Sequence, residues 1–280
     1  MSWGGKVNAL DRPETEMSKP VAELRGEPGL PEFIEVGDRR IAVLRLAGRA
    51  PGLMWLSGFR SDMTGSKAVA VDAFGASHGL AVTRFDYSGH GQSGGDFNAG
   101  TISRWLEEAL AVFATTTGPQ IVIGSSMGGW IALLLIRALR ARVQMRVAGL
   151  VLIAPAVDMT ELMLAQMPKK YVRLLDKQGY VDTPSEYSAE PYRINKALIE
   201  DGKQHLLFGR AIELGCPVTI LQGARDRDVP KEHAARLVQH LVTDPVTFTL
   251  VPDGEHRMSR PADLALLENA IVELIAQSPG

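Results

Sequence analysis

The chain has 280 residues, with 30 basic and 32 acidic side chains, a net charge of −2 and one cysteine. Scattered, nearly balanced charge argues against nucleic acid or an anionic membrane surface as the partner and favours a small or mostly uncharged ligand. One cysteine excludes an intrachain disulfide and gives no basis for a cysteine-based metal site, which fits a reducing compartment.

Residues 1–31 are rich in Gly, Pro, Glu and Lys without periodicity, so a flexible arm is expected there. The stretch lacks the apolar core of a signal peptide and the acid-poor, Arg-rich character of a transit peptide, and the setting it predicts is cytoplasmic. No run is long and apolar enough to span a bilayer, so no integral membrane segment is expected. Residues 32–280 are expected to form one domain, large enough to bury most of its surface.

Phe33–Val36 and Ile41–Leu46 flank Gly37-Asp38, which predicts a hairpin at a sheet edge. Short apolar runs follow at Leu53–Leu56, Leu80–Phe85, Ile121–Ile123, Leu150–Ile153, Val218–Leu221 and Val246–Val251. Helical stretches alternate with them at Ser66–His78, Ile102–Thr115, Gly129–Ala141, Lys231–Leu241 and Asp263–Ala276. This alternation predicts βαβ units, hence an α/β fold whose mostly parallel sheet carries helices on both faces. Ligands of such sheets collect outside the C-terminal strand ends. About residues 156–214 the alternation breaks: Met159, Met163, Met167 and several tyrosines occur without a convincing strand, and a helical cap over the strand ends is expected. Most of these side chains should pack onto the sheet, and some should line a substrate channel.

The run Ile121-Val122-Ile123 breaks on Gly124-Ser125-Ser126-Met127-Gly128 and passes directly into a helix. A G-x-S-x-G pentapeptide between strand and helix is the setting of a nucleophilic serine held on a tight turn, with the helix N-terminus aimed at the developing oxyanion. Ser126 is the candidate nucleophile, because the register that centres Ser125 would put Ile and Met where the glycines must stand.

A serine hydroxyl needs a base, and the base needs a carboxylate to fix its tautomer. In chain order the acid comes next: Asp226 and Asp228 both lie in the turn after Val218–Gln222, before Pro230 at a helix start. His256, in the turn after the last strand, is the candidate general base. The oxyanion donors expected are the backbone N–H of Met127 and one from Ser57-Gly58-Phe59-Arg60-Ser61, for which Phe59 is the candidate. His78, His205, His233 and His240 are expected at the solvated surface. His90 sits in the Gly-rich loop Asp86–Gly94, whose spacing fits neither a Walker nor a dinucleotide loop; it reads as a structural turn in which Asp86 caps backbone N–H groups. Cys216 is expected to be a small buried apolar residue without chemistry.

With these residues placed, the chain resembles the α/β-hydrolase family from Phe33 to its end. Strand-Gly58-Phe59, G-x-S-x-G at 124–128, G-x-x-D-x-x-V-P at 223–230 and His256 fall in the family's order. The register of the third motif puts the acid on Asp226. Arg84-Phe85-Asp86-Tyr87-Ser88-Gly89, Gly118-Pro119-Gln120-Ile121 and Glu255-His256-Arg257-Met258 are similar to an abhydrolase subgroup of acyl-protein thioesterases and acyl-glucuronide esterases. The resemblance implies hydrolysis of an acyl thioester or acyl ester through an acyl-enzyme on Ser126, without metal or organic cofactor. The substrates it implies are small acyl esters or thioesters and S-acylated protein. Ser57-Gly58 departs from the family's usual His-Gly before the oxyanion loop.

Overall fold

The computed structural model describes residues 29–183 and 191–277. Most of the expected N-terminal arm, residues 1–28, therefore lies outside the described residues. Ten strands and eight α-helices are described. The strands are β1 (Glu32–Val36), β2 (Arg39–Leu46), β3 (Arg49–Leu56), β4 (Leu80–Phe85), β5 (Gln120–Ser125), β6 (Val147–Ile153), β7 (Tyr180–Thr183), β8 (Tyr192–Asn195), β9 (Val218–Gly223) and β10 (Val246–Val251). The helices are α1 (Ser66–His78), α2 (Ile102–Ala114), α3 (Met127–Ala141), α4 (Met159–Gln166), α5 (Lys169–Gln178), α6 (Lys196–Gly202), α7 (Lys231–His240) and α8 (Pro261–Gln277).

Eight strands form one sheet in the order β1-β2-β4-β3-β5-β6-β9-β10. The first three pair antiparallel and all later neighbours parallel. Side chains alternate across each strand, so Met54, Leu56 and Val122 enter one core while Leu53, Trp55, Ile121 and Ile123 enter the other. The first core packs against Trp105 and Phe113 of α2 and Trp130 of α3, the second against Val71 and Phe74 of α1 and Ile271 and Leu274 of α8. Both faces are thus covered, as parallel sheets require. Full burial of side chains this large stabilises the fold by roughly 1.5–3 kcal/mol each.

Strand order sets the position of the site. β3 and β5 are neighbours, but the chain leaves β3 through α1 on one face and β5 through α3 on the other. Their C-terminal ends diverge, and the crevice of an open α/β sheet forms at this reversal. The loops opening there begin at Ser57 and at Ser126.

Two differences from the sequence expectation lie close to the site. The helix after the pentapeptide starts at Met127, not Gly129, because Ser126 itself carries the turn and helical geometry resumes at once. The segment between β6 and β9 contains, besides α4, α5 and α6, a small antiparallel sheet in which Val181 faces Ile194. Its strands have four residues each, too short to display a period of two. Leu175, Val181, Ile194 and Ile199 give this segment a small apolar core of its own, flanked by Met163, Met167 and Tyr171.

Candidate active site

β5 ends at Ser125, and Ser126 adopts φ 54° and ψ −119° before α3 begins. A side chain at such dihedrals is strained and persists only where its surroundings over-determine it. Two backbone bonds do so: the Ser126 N–H donates to the Ile153 carbonyl (2.9 Å), and its carbonyl accepts from Ala156 (3.1 Å). The flanking glycines let the chain cross itself. A β-carbon on Gly124 would overlap the Gly128 carbonyl oxygen and lie 2.8 Å from the Gly129 α-carbon. The first ten residues of α3 are buried, which anchors the turn from the helix side.

The Ser126 hydroxyl stands 3.0 Å from His256 Nε2, and His256 Nδ1 stands 2.9 Å from Asp226 Oδ2. These three residues, 130 positions apart at the widest, form one continuous hydrogen-bonded chain. With a carboxylate as its partner, Nδ1 carries the proton and Nε2 presents a lone pair to the serine hydroxyl. The Asp226 side chain is fully buried. Its Oδ1 accepts the N–H groups of Asp228 (2.9 Å) and Val229 (2.8 Å), and its Oδ2 also accepts from Gln222 Nε2 (3.1 Å). Asp228 thus supplies a backbone donor to Asp226, while its own side chain lines the neighbouring cavity. Possible ligand atoms of Asp226, Asp228 and His256 lie within 4.8 Å of one another, and both ring nitrogens of His256 are engaged in hydrogen bonds with Ser126 and Asp226.

The loop after β3 lies over the serine turn. A β-carbon on Gly58 would stand 3.2 Å from the Ser125 carbonyl oxygen and 3.3 Å from Ser126 Cβ. Ser57 accepts a hydrogen bond from the Trp55 indole (2.9 Å). Phe59 packs its ring on Phe97 and Trp105, with centroids 5.0 and 6.0 Å away. Met127 is the first residue of α3, so its N–H has no preceding helical turn to bond. Farther along, Met63 is fixed at both ends of its backbone: its N–H donates to Asp86 Oδ1 (2.7 Å) and its carbonyl accepts from Arg84 (2.8 Å). Burial raises the Asp86 carboxyl, opposed by the N–H groups of Gln92 and Met63 that it binds.

A cavity of about 900 Å³ opens above Ser126 and His256. Its apolar side comes from Ala156, Met159, Leu162, Met163, Met167 and Ile194, so the three methionines singled out in the sequence all reach it. The lining also includes the charged residues Arg60, Lys67, Arg257, Asp62 and Asp228. Burial, together with the Arg257 charge, lowers the Lys67 ammonium to about 8. Cys216 is buried, which pushes its thiol up to about 12 and leaves it inert as a nucleophile.

Sequence reasoning missed Gln222, which bridges Asp226 to the carbonyls of Gly223 and Val229. Its signal in the sequence was a polar glutamine closing the mostly apolar run Val218–Leu221. His205 and His233, expected at the solvated surface, are half-buried and bonded to Ser103 Oγ and the Val157 carbonyl.

The family model described as serine aminopeptidase, S33, matches residues 56–261. The bovine protein named palmitoyl-protein thioesterase ABHD10, mitochondrial, is 37% identical over 237 residues, which are 84% of this chain and 76% of that one. The crystal structure of a protein from Agrobacterium vitis S4 described as 'putative hydrolase' is 49% identical, with TM-score 0.85 over 88% of this chain and 98% of the other. The structure of alpha/beta hydrolase domain-containing protein 10 from mouse superposes with TM-score 0.80 at 34% identity, covering 89% and 99%. These neighbours establish the expected fold. They also correct the expected cytoplasmic setting, since the animal relatives matched over most of this chain are named as mitochondrial. A polar N-terminal stretch is no positive sign of a compartment.

Proposed function

We propose, from the premise that this chain belongs to the α/β-hydrolase family, that it hydrolyses acyl thioesters or acyl esters through an acyl-enzyme on Ser126. Ser126 Oγ attacks the acyl carbonyl carbon while His256 Nε2 takes its proton. Asp226 holds the imidazole in the required tautomer and stabilises the imidazolium. The tetrahedral oxyanion is received by the N–H groups of Met127 and Phe59. Collapse breaks the bond to sulfur or oxygen, with His256 returning the proton to the leaving thiol or alcohol. Water then attacks the acyl-enzyme by the same steps and releases the acid.

The observation that carries this reading is the juxtaposition of the Ser126–His256 pair with an apolar wall of methionine, leucine and isoleucine. Such a wall suits a hydrocarbon chain, and flexible methionine accommodates irregular apolar shapes. The relatives named palmitoyl-protein thioesterase support the same substrate class, and we extend the proposal to S-acylated protein as a substrate. The family model's description favours a second reading, an aminopeptidase. That chemistry must hold a substrate ammonium close to the serine. Among the charged residues that line the cavity, Arg60, Lys67 and Arg257 outnumber Asp62 and Asp228, and the acyl reading is preferred.

The deciding measurement is kcat/KM for a chain-matched oxyester and thioester, with Ser126→Ala as the blank. Loss of all turnover in that variant supports the proposal, and a thioester preference beyond the pair's intrinsic reactivity supports the thioesterase form. Retained turnover in Ser126→Ala, or faster cleavage of aminoacyl amides than of acyl esters, overturns it.

A further inference from the structure

The Gly-rich loop Asp86–Gly94, which the sequence marks out without chemistry, packs against the loop that carries Phe59. Within it His90 is only 5% exposed. Its Nε2 lies 3.2 Å from the backbone nitrogen of Arg60, and its Nδ1 lies 3.1 Å from the Ser88 carbonyl oxygen. A backbone N–H only donates and a carbonyl only accepts, so these two partners leave one state for the ring: neutral, with its proton on Nδ1. Burial and the Arg60 charge lower the ring's pKa to about 4, against the opposing pull of the Ser88 carbonyl and Asp62. The imidazole therefore keeps its acceptor throughout the neutral range.

Arg60 is a residue that needs holding. Its φ is 56°, in the left-handed region that a side chain of this kind leaves unless neighbours prevent it. Relaxation would rotate the Phe59–Arg60 peptide and carry Phe59 with it. The ring that bonds the Arg60 N–H is itself wedged between Phe97 and Trp105, at 5.0 and 5.3 Å. Those two aromatic side chains also contact the Phe59 ring. One cluster thus fixes the acceptor, the strained residue and the ring beside the donor.

We infer that His90 is a positioning residue for the oxyanion hole: its Nε2 holds the Arg60 N–H and so aims the Phe59 N–H at the developing oxyanion. The inference rests on the proposed role of Phe59. It concerns transition-state stabilisation, not substrate binding, because His90 does not line the cavity above Ser126.

The test compares His90→Phe, which keeps a ring but removes the acceptor, with His90→Gln, which restores one. In His90→Phe, kcat for an acyl ester should fall about ten- to a hundred-fold, the cost expected of a displaced oxyanion donor, while KM stays within about three-fold. An acyl trifluoromethyl ketone, which Ser126 converts to a tetrahedral oxyanion, should lose affinity by the same factor as kcat. His90→Gln should recover most of both. A folded His90→Phe protein with native kcat overturns the inference, as does a fall in kcat with the ketone's affinity unchanged. Ser126→Ala in the same assay separates the two failures. If it is inactive while His90→Phe is fully active, only the inference fails; if it turns over, the acyl-enzyme reading itself fails. Because His90→Phe could lose its fold, nitrogen NMR of the native protein labelled at histidine gives a second readout. The His90 ring should show a protonated Nδ1 and an unprotonated Nε2 at neutral pH; an Nε2–H tautomer or an imidazolium there overturns the inference.

Discussion

Gly128 and Leu56 meet backbone to backbone: a β-carbon on Gly128 would overlap the Leu56 carbonyl oxygen and stand 2.6 Å from that of Ser57. Through this contact the first turn of α3 and the end of β3 hold the serine turn and the oxyanion loop in one rigid arrangement. Neither side of the contact is a flexible side chain, so an added methyl group displaces one of the two loops. Gly128→Ala should therefore destabilise the protein by about 1–3 kcal/mol or more, the usual cost of overpacking. Any folded fraction should show a larger loss in kcat than in KM. Denaturant unfolding and steady-state kinetics on the same preparation check both expectations. Native stability in this variant would mean that the loops can separate.

Asp226 and Asp228 stand two positions apart in the same loop, yet their side chains have different partners. Asp226 is bonded to His256, Gln222 and two backbone N–H groups, whereas Asp228 faces the cavity. Asp226→Asn should lower kcat by about ten thousand-fold, because an amide at that position favours the wrong imidazole tautomer. Asp228→Asn keeps its backbone donor and should retain activity within about ten-fold, the scale of a changed contact at the cavity wall. The reverse ranking would move the acid to Asp228.

The serine turn was legible because it is local: Gly124–Gly128 and the elements on either side carry the whole geometric demand. The choice between Asp226 and Asp228 was not, because it depends on which side chain meets an imidazole 30 positions away. Residue order and motif register pointed to Asp226, and it is Asp226 that His256 Nδ1 bonds in the fold. The hold of His90 and Arg84 on the loop after β3 was hidden for a related reason. β4 lies beside β3 only through the crossover of α1, and nothing in the local pattern of Asp86–Gly94 names its partner. The hairpin of β7 and β8 escaped because four-residue strands leave no period to read. Helix boundaries fared better wherever a cap or a polar break marks them, as at Ser66–His78.

The buried His90 ring links stability to pH. Its pKa is lowered from 6.5 to about 4 in the folded protein, chiefly by burial. Between these values the unfolded chain binds the proton and the native ring does not, so stability falls as the pH drops from 6.5 towards 4 and levels off below. The displacement corresponds to about 3 kcal/mol over that window. Because Asp86 and Glu108 are raised by burial and act in the opposite sense, the quantity to measure is the difference between the native protein and His90→Gln. Unfolding curves across the window should show the native protein losing stability relative to His90→Gln as the solution becomes more acid. Parallel curves would show that the native ring takes up a proton as readily as the unfolded one.

Met163 offers a test of the apolar wall that leaves the reacting groups untouched. It lines the cavity, and its contacts tie the small core of the segment above the sheet to the main core below. Replacing it with aspartate puts a charge where the proposed acyl chain lies, and a methylene that loses an apolar environment forfeits about 0.8 kcal/mol. Two or three such groups amount to a loss of about ten- to fifty-fold in kcat/KM for a palmitoyl substrate. An acetyl ester, whose methyl group does not extend along the wall, should be cleaved within about three-fold of the native rate, since the charge then touches nothing that reacts. The ratio of the two substrates is the informative quantity, because a general loss of folded enzyme lowers both equally. A ratio unchanged by Met163→Asp would place the acyl chain elsewhere in the cavity, and Lys67 and Arg257 would become the next lining residues to vary.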